Sequence, residues 1–167
     1  MLLVSPSVKY KASYIEYIKE LGAEERYPFT LDFEHTNFPE LINKLDEYSN
    51  GVNIPNDAVP SSTFWLVDDN ELIGVTNIRH YLNDRIEYCG GHIGLGVRPA
   101  YRGKGLGNML MKLSIQKLAD MGVNPIHIHC YKNNMASVKV IIDNGGVLDS
   151  ELSQNGEIIQ RFVLIAS

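Results

Sequence analysis

Between an apolar strand and an amphipathic helix the chain reads Val97-Arg98-Pro99-Ala100-Tyr101-Arg102-Gly103-Lys104-Gly105-Leu106-Gly107-Asn108. Three glycines at alternate positions expose successive backbone N–H groups, and the helix N-terminus that follows adds partial positive charge. An anion, above all a pyrophosphate, is the natural ligand of such a loop. Arg102 and Lys104 add full charges, and the helix is expected to turn Leu106, Met109, Leu110 and Leu113 inward. Two familiar phosphate motifs fail on spacing. A P-loop needs G-x-x-x-x-G-K-[ST], but Lys104 is followed by Gly105 with no Ser or Thr placed for magnesium. The dinucleotide fingerprint needs G-x-G-x-x-G, whereas Gly103, Gly105 and Gly107 give G-x-G-x-G.

Hydrophobic periodicity around this loop predicts a mixed α/β chain. A short strand at Leu2 to Val4 precedes a helix whose Tyr10, Tyr14, Tyr17, Ile18 and Leu21 share one face, and that stripe reads as core. Asn37 caps and Pro39 opens a second helix carrying Leu41, Ile42 and Leu45, which stops near Asn50-Gly51. A long loop with Pro55 and Pro60 leads to an antiparallel pair, 63–67 and 72–78. A further strand is expected from Tyr88 to Val97, then a helix from Gly105 to Met121, a strand from Ile126 to Tyr131 and a helix from Met135 to Asn144. A closing hairpin turns at Asn155-Gly156.

The 167 residues suit a single domain, spanning 1–167, able to bury roughly 70% of its unfolded surface. With 44% hydrophobic and 21% charged residues, disorder and fibrous structure are excluded. The net charge of −5 argues against a broad nucleic-acid surface. Neither a signal-peptide pattern nor an apolar run of membrane-spanning length is seen, and Cys89 and Cys130 supply no disulfide framework. A cytoplasmic protein without a membrane partner is expected. The charge is uneven: Arg98, Arg102, Lys104, Lys112 and Lys117 fall in a stretch without acids, while 20–47 is strongly acidic. This suggests a local anion site set apart from an acidic segment.

Arg102, Gly105 and Gly107 behind Val97-x-Pro99 fill the pattern R-x-x-G-x-G, which resembles the acyl-CoA pyrophosphate motif of the GNAT superfamily of N-acetyltransferases. A second element is similar: Asn134-Met135-Ala136-Ser137, with Gly145 eight residues after Ser137, follows the strand after the first motif. The likeness extends over nearly the whole chain. Through Val59–Val67, Asn77–His80 and Gly90–Gly94 it runs to a bacterial subgroup described only as predicted acetyltransferases. It implies a GNAT-like α/β fold: a central, mostly antiparallel sheet of about six to seven strands, about four flanking helices, and a splayed parallel strand pair.

The resemblance also implies an acetyl-CoA-dependent N-acetyltransferase that joins the acetyl group to a primary amine, small molecule or peptide, by direct attack on the thioester in a ternary complex. No metal takes part, and the closing hairpin could support a homodimer. The alternative is a non-catalytic acyl-CoA-binding or regulatory module. The implied cofactor-binding residues are Leu95, Gly96, Val97, Arg102, Gly103, Lys104, Gly105, Leu106, Gly107, Asn108, Asn134 and Ser137, with the Leu95 N–H facing the acetyl carbonyl and the Val97 N–H the pantetheine amide. Gly94 and Gly96 would allow close ligand approach. His92 occupies the place where many members carry a basic glutamate, with Glu87 and His80 as further candidates. Ile141 stands where the family's acid, a tyrosine, is expected, so Ser137, Tyr131 or water would protonate the thiolate, unless it leaves unaided. His127 and His129 share a strand face but lack further ligands for zinc.

Overall fold

The computed structural model describes residues 1–165. The chain runs β1 (Leu2–Val4), α1 (Lys11–Leu21), α2 (Phe38–Asn50), β2 (Ser61–Asp68), β3 (Glu71–Arg79), α3 (Asp84–Tyr88), β4 (Ile93–Val97), α4 (Leu106–Asp120), β5 (Ile126–Tyr131), α5 (Met135–Asp143), β6 (Val147–Gln154) and β7 (Glu157–Leu164). The local signals act as expected. Asn37 accepts from the Glu40 N–H to start α2, and Gly51, at φ +69°, closes it. Asn155 and Gly156, both at positive φ, turn the last hairpin.

Seven strands are present, but they form two hydrogen-bonded sheets, β1-β2-β3-β4 and β5-β7-β6, with every ladder antiparallel. The sheets meet just ahead of β4. Gly91 bridges Ile128, and the His92 N–H donates to the His127 carbonyl at 2.7 Å. Beyond that joint β4 and β5 share no ladder among the described residues, so the strand pair splays.

Two corrections concern this region. The strand expected from Tyr88 begins only at Ile93. The side chain of Asn83 accepts from the Ile86 N–H and nucleates α3, and Gly90 (φ +137°) and Gly91 (φ +71°) then turn the chain. That turn adds a fifth helix to the four expected. Met109 is exposed rather than inward, and Met111 takes the core position beside Leu110.

One core packs Tyr14, Tyr17, Phe38 and Trp65 between the first two helices and the first sheet, with the Tyr14 ring 5.4 Å from both Phe38 and Trp65. A second packs Ile93, Met111, Leu118, Ile128, Ile141 and Phe162 under α4 and α5, so α4 spans both sheets, and a small third joins Leu110 of α4 to Leu66 and Ile73. No helix among the described residues is long and apolar enough to cross a membrane.

Gly94 and Gly96 admit a close approach, and the chain itself supplies it. A Cβ on Gly96 would collide with the Tyr27 carbonyl oxygen, and one on Gly94 would lie 3.3 Å from Pro28 Cβ. Gly96→Ala is therefore expected to displace the 27–28 segment and cost about 1–3 kcal/mol in urea unfolding; an unchanged midpoint would mean that the segment yields freely.

Two buried histidines secure the joint. The His127 N–H donates to His92 Nδ1, and the Gly90 N–H to His129 Nδ1, both at 2.9 Å. Burial, with the neighbouring His127 second, holds both rings down to a pKa of about 4. An unfolded histidine protonates near pH 6.5. The unfolded chain therefore takes up protons that the fold refuses, and stability present above about pH 6.5 is lost as pH falls toward 4. Between pH 7.5 and 5.0 unfolding should become easier by about 2 kcal/mol per ring. His92→Gln should flatten that slope, and a flat wild-type profile would remove the basis for it.

Candidate active site

Hydrogen bonds at both ends of the β3–β4 ladder fix which way the β4 amides point. The Arg98 N–H donates to the Ile73 carbonyl and the Arg79 N–H to the His92 carbonyl, each at 2.8 Å. With Gly94 opposite Asn77 and Gly96 opposite Val75, the even-numbered residues bond to β3. The N–H groups of Leu95 and Val97 consequently face the other edge, toward the gap between the sheets. This edge pairs with no strand among the described residues.

The gap opens onto the glycine loop. Gly103 and Gly105 sit at φ +77° and +76°, and a Cβ on either would meet nothing within 4 Å. Gly105 is the N-cap of α4, no side chain caps this end, and the first helical bond runs from the Met109 N–H to the Gly105 carbonyl. The N–H groups of Leu106, Gly107 and Asn108 precede that bond and are available to an anion. Gly107 packs 3.8 Å from Val97 Cγ2, measured from the Cβ it lacks. Lys104 lies over the Tyr101 ring at 5.5 Å. A cleft of about 760 Å³ continues from Gly105 and Asn108 past Lys112, Gln116 and Asn144. The Asn144 amide donates to Asn108 Oδ1 at 2.5 Å and ties α5 to the start of α4.

Arg102 does not point freely at the loop. Its Nε donates to the Val97 carbonyl at 2.9 Å, and its two terminal nitrogens grip Glu24 at 3.1 and 2.9 Å. That pairing holds the Glu24 carboxyl below its ordinary range. One turn away, Arg98 pairs with Glu20 and, at 2.9 Å, with Glu71. The basic and acidic segments are thus partly stitched together rather than set on opposite walls.

Among the candidate bases, His92 lies at the apex of the splay, only 5% exposed. Because its Nδ1 accepts the His127 N–H, the neutral ring carries its hydrogen on Nε2 and has no free lone pair there. In this tautomer it is a donor, without the free lone pair that taking a proton, directly or through water, would need. Glu87 is exposed on α3, away from the β4 register that would have placed it in the cleft. His80 Nε2 is bonded to Ser62 Oγ at 2.7 Å, outside the gap lined by β4.

On the second motif, Asn134 Oδ1 accepts from the Ser137 N–H at 3.2 Å, a helix cap. Ser137 is half-buried in the first turn of α5. Ile141 is 1% exposed in the core. Tyr131 ends β5, and the carboxylates of Glu25 and Glu157 push its hydroxyl pKa up, Glu25 most.

Sequence reasoning did not bring together the groups around the joint, and placed His129 only beside His127 on a strand face. Tyr27 and Pro28 lie across the glycines of β4, and Arg79, Arg161 and His129 surround the 88–91 turn. The available signals were an arginine closing a buried strand and another inside the terminal hairpin. A second cleft, of about 450 Å³, lies along the loop after α1 between Glu24, Glu25, Arg26, Phe29 and Asp32.

The model of the acetyltransferase (GNAT) family matches residues 15–141. No curated protein sequence matches the chain. Among solved structures, a ribosomal-protein-S5-alanine acetyltransferase from Vibrio fischeri superposes with a TM-score of 0.72 at 15% identity, covering 98% of this chain and 91% of that one. A spermidine N-acetyltransferase variant from Vibrio cholerae gives 0.66 at 15% identity, over 99% and 95%. A ribosomal α-N-protein acetyltransferase in complex with coenzyme A gives 0.70 at 15% identity, over 98% and 92%. These likenesses carry the fold, and the family match spans about three quarters of the sequence, from α1 to α5; the chain belongs to the GNAT family of acetyltransferases.

Proposed function

We propose that the protein transfers the acetyl group of acetyl-CoA to a primary amine, on a small molecule or peptide, by direct attack on the thioester in a ternary complex. One observation carries this reading: the unpaired β4 edge, with the Leu95 and Val97 N–H groups turned outward, leads directly to the uncapped N-terminus of α4. The donor set fits the cofactor. Leu106, Gly107 and Asn108 N–H groups, with Gly103 and Gly105 leaving open space, would hold the pyrophosphate, Val97 the pantetheine amide, and the cleft past Lys112 and Asn144 the nucleoside end. Acetyl-CoA supplies the activated acyl carbon.

The chain's own groups then do three things. The Leu95 N–H, fixed in the sheet register, meets the carbonyl oxygen as negative charge grows on it. His92 holds the apex with Nε2–H as a donor. The acceptor's ammonium must lose a proton before it attacks, and Glu25 and Glu157, exposed carboxylates whose charges act on Tyr131, would receive it through water. Tyr131 or Ser137 returns a proton to the thiolate.

Incubation with acetyl-CoA and an amine panel should release thiol only when both are present. Absence of CoA binding would overturn the reading, and binding without turnover on any amine would favour a non-catalytic acyl-CoA module. Gly105→Glu is expected to abolish CoA binding by placing a carboxylate among the loop N–H groups. Gly105→Asn, which tolerates the same left-handed backbone, should retain most of it; equal losses would trace the effect to strain. Glu24→Gln should free Arg102 and tighten CoA binding several-fold in calorimetry, less so at high salt. Weaker binding would mean that the ion pair organises the loop rather than competing with the phosphate.

A further inference from the structure

The acceptor side of the joint carries positive charge and a donor that the fold leaves unanswered. Arg79, the last residue of β3, is half-buried; its Nη1 donates to the Gly91 carbonyl at 2.8 Å, and its guanidinium lies 5.6 Å from the Phe29 ring. Arg161 of β7 donates to Ser150 Oγ at 2.9 Å and to the Tyr88 carbonyl at 3.2 Å. Neither arginine has a carboxylate partner among the described residues.

His129 completes the group. It is 5% exposed, and its Nδ1 accepts the Gly90 N–H, so Nε2 carries the hydrogen. That Nε2 is buried without a hydrogen-bond partner among the described residues. Both guanidinium groups are close enough to His129 for their charge to oppose its protonation. The three side chains therefore gather on one four-residue turn: Arg161 on Tyr88, His129 on Gly90, Arg79 on Gly91. A buried N–H without an acceptor is costly, and so is a half-buried guanidinium without a counter-charge. Each deficit is met by the same thing, an anion with two acceptor oxygens. Flat guanidinium edges match a planar carboxylate, and a neutral imidazole adds one further donor.

We propose that Arg79, Arg161 and His129 form a carboxylate subsite for the acceptor, so that the amine acetylated here belongs to an amino acid or a short peptide with a free C-terminus. This rests on the acetyltransferase reading above and narrows it. Glu25 and Glu157, whose charges act on Tyr131, would suit the ammonium end of such a zwitterion. A polyamine, which offers only ammonium groups, would meet two guanidiniums instead.

The test compares the common L-amino acids and glycylglycine, each with its carboxamide, and spermidine, by kcat/KM from thiol release. The carboxylate form should be preferred by about tenfold or more over its amide. Arg79→Met and, independently, Arg161→Met should each bring that ratio toward one while CoA affinity is retained, and Arg79→Lys should keep part of it. Equal use of acid and amide by the wild type, or preference for spermidine, would overturn the subsite. If no amine is turned over, the acetyltransferase reading fails by itself, and calorimetry of glycylglycine against its amide on the CoA-loaded protein decides the subsite. Arg79-dependent preference for the acid supports it; equal or absent binding removes it.

Discussion

The two sheets of this protein meet over one short stretch among the described residues, Gly90–His92 against His127–His129, and its position determines the rest. His92 gives its N–H to the His127 carbonyl and takes the His127 N–H on its ring, so one residue serves both directions of a strand contact. Beyond that stretch β4 pairs with β3 on one edge and with no strand on the other among the described residues. Had the ladder continued, the Leu95 and Val97 amides would have been spent on β5. Because it stops, two oriented N–H groups remain for a ligand that can complete the edge. α4 keeps the gap from closing or widening, since Leu110 and Met111 are buried against different cores beneath one helix.

The electrostatics follow from the same geometry. α1 lies against the segment that carries the glycine loop, so Glu20 and Glu24 meet Arg98 and Arg102 one helical turn apart. Arg98, with 11% of its side chain exposed and also joined to Glu71, acts as a structural tie. Arg102 and Glu24 are about half exposed, and such a pair is worth little by itself. It is therefore one that a phosphate can contest. The acidic loop after α1 and the glycine loop are thus linked through a weak, half-exposed contact.

Much of this was readable from sequence because its signals are local. Asn37-x-Pro39, Gly51 and Asn155-Gly156 each determine the backbone by themselves, and the tyrosine stripe of α1 is core as its period demands. The glycine loop was legible for the same reason, since positive φ at Gly103 and Gly105 needs no distant partner. What failed was non-local. The apolar run before Val97 concealed α3 because Gly90 and Gly91 turn the chain onto β5, a contact separated from it by over thirty residues. Gly94 and Gly96 looked like room for a ligand, and Tyr27 and Pro28 fill part of it. No periodicity announces Arg79, Arg161 and His129 as neighbours; they come from three strands and meet only once the sheets are joined.

The histidines show why a residue type in the right place does not fix its chemistry. His92 stands where a base was expected, and an imidazole of ordinary pKa would suit that work. Its ring nitrogen is instead committed to a backbone N–H, and burial makes protonation unfavourable until about pH 4. His129 is set in the same way by the Gly90 N–H. Two backbone amides thus set two buried imidazoles as neutral donors of fixed tautomer, one at the apex of the splay and one beneath the 88–91 turn. Ile141, too, is buried in the core, whereas Glu25, Glu157 and Tyr131 are exposed and keep water within reach of a proton.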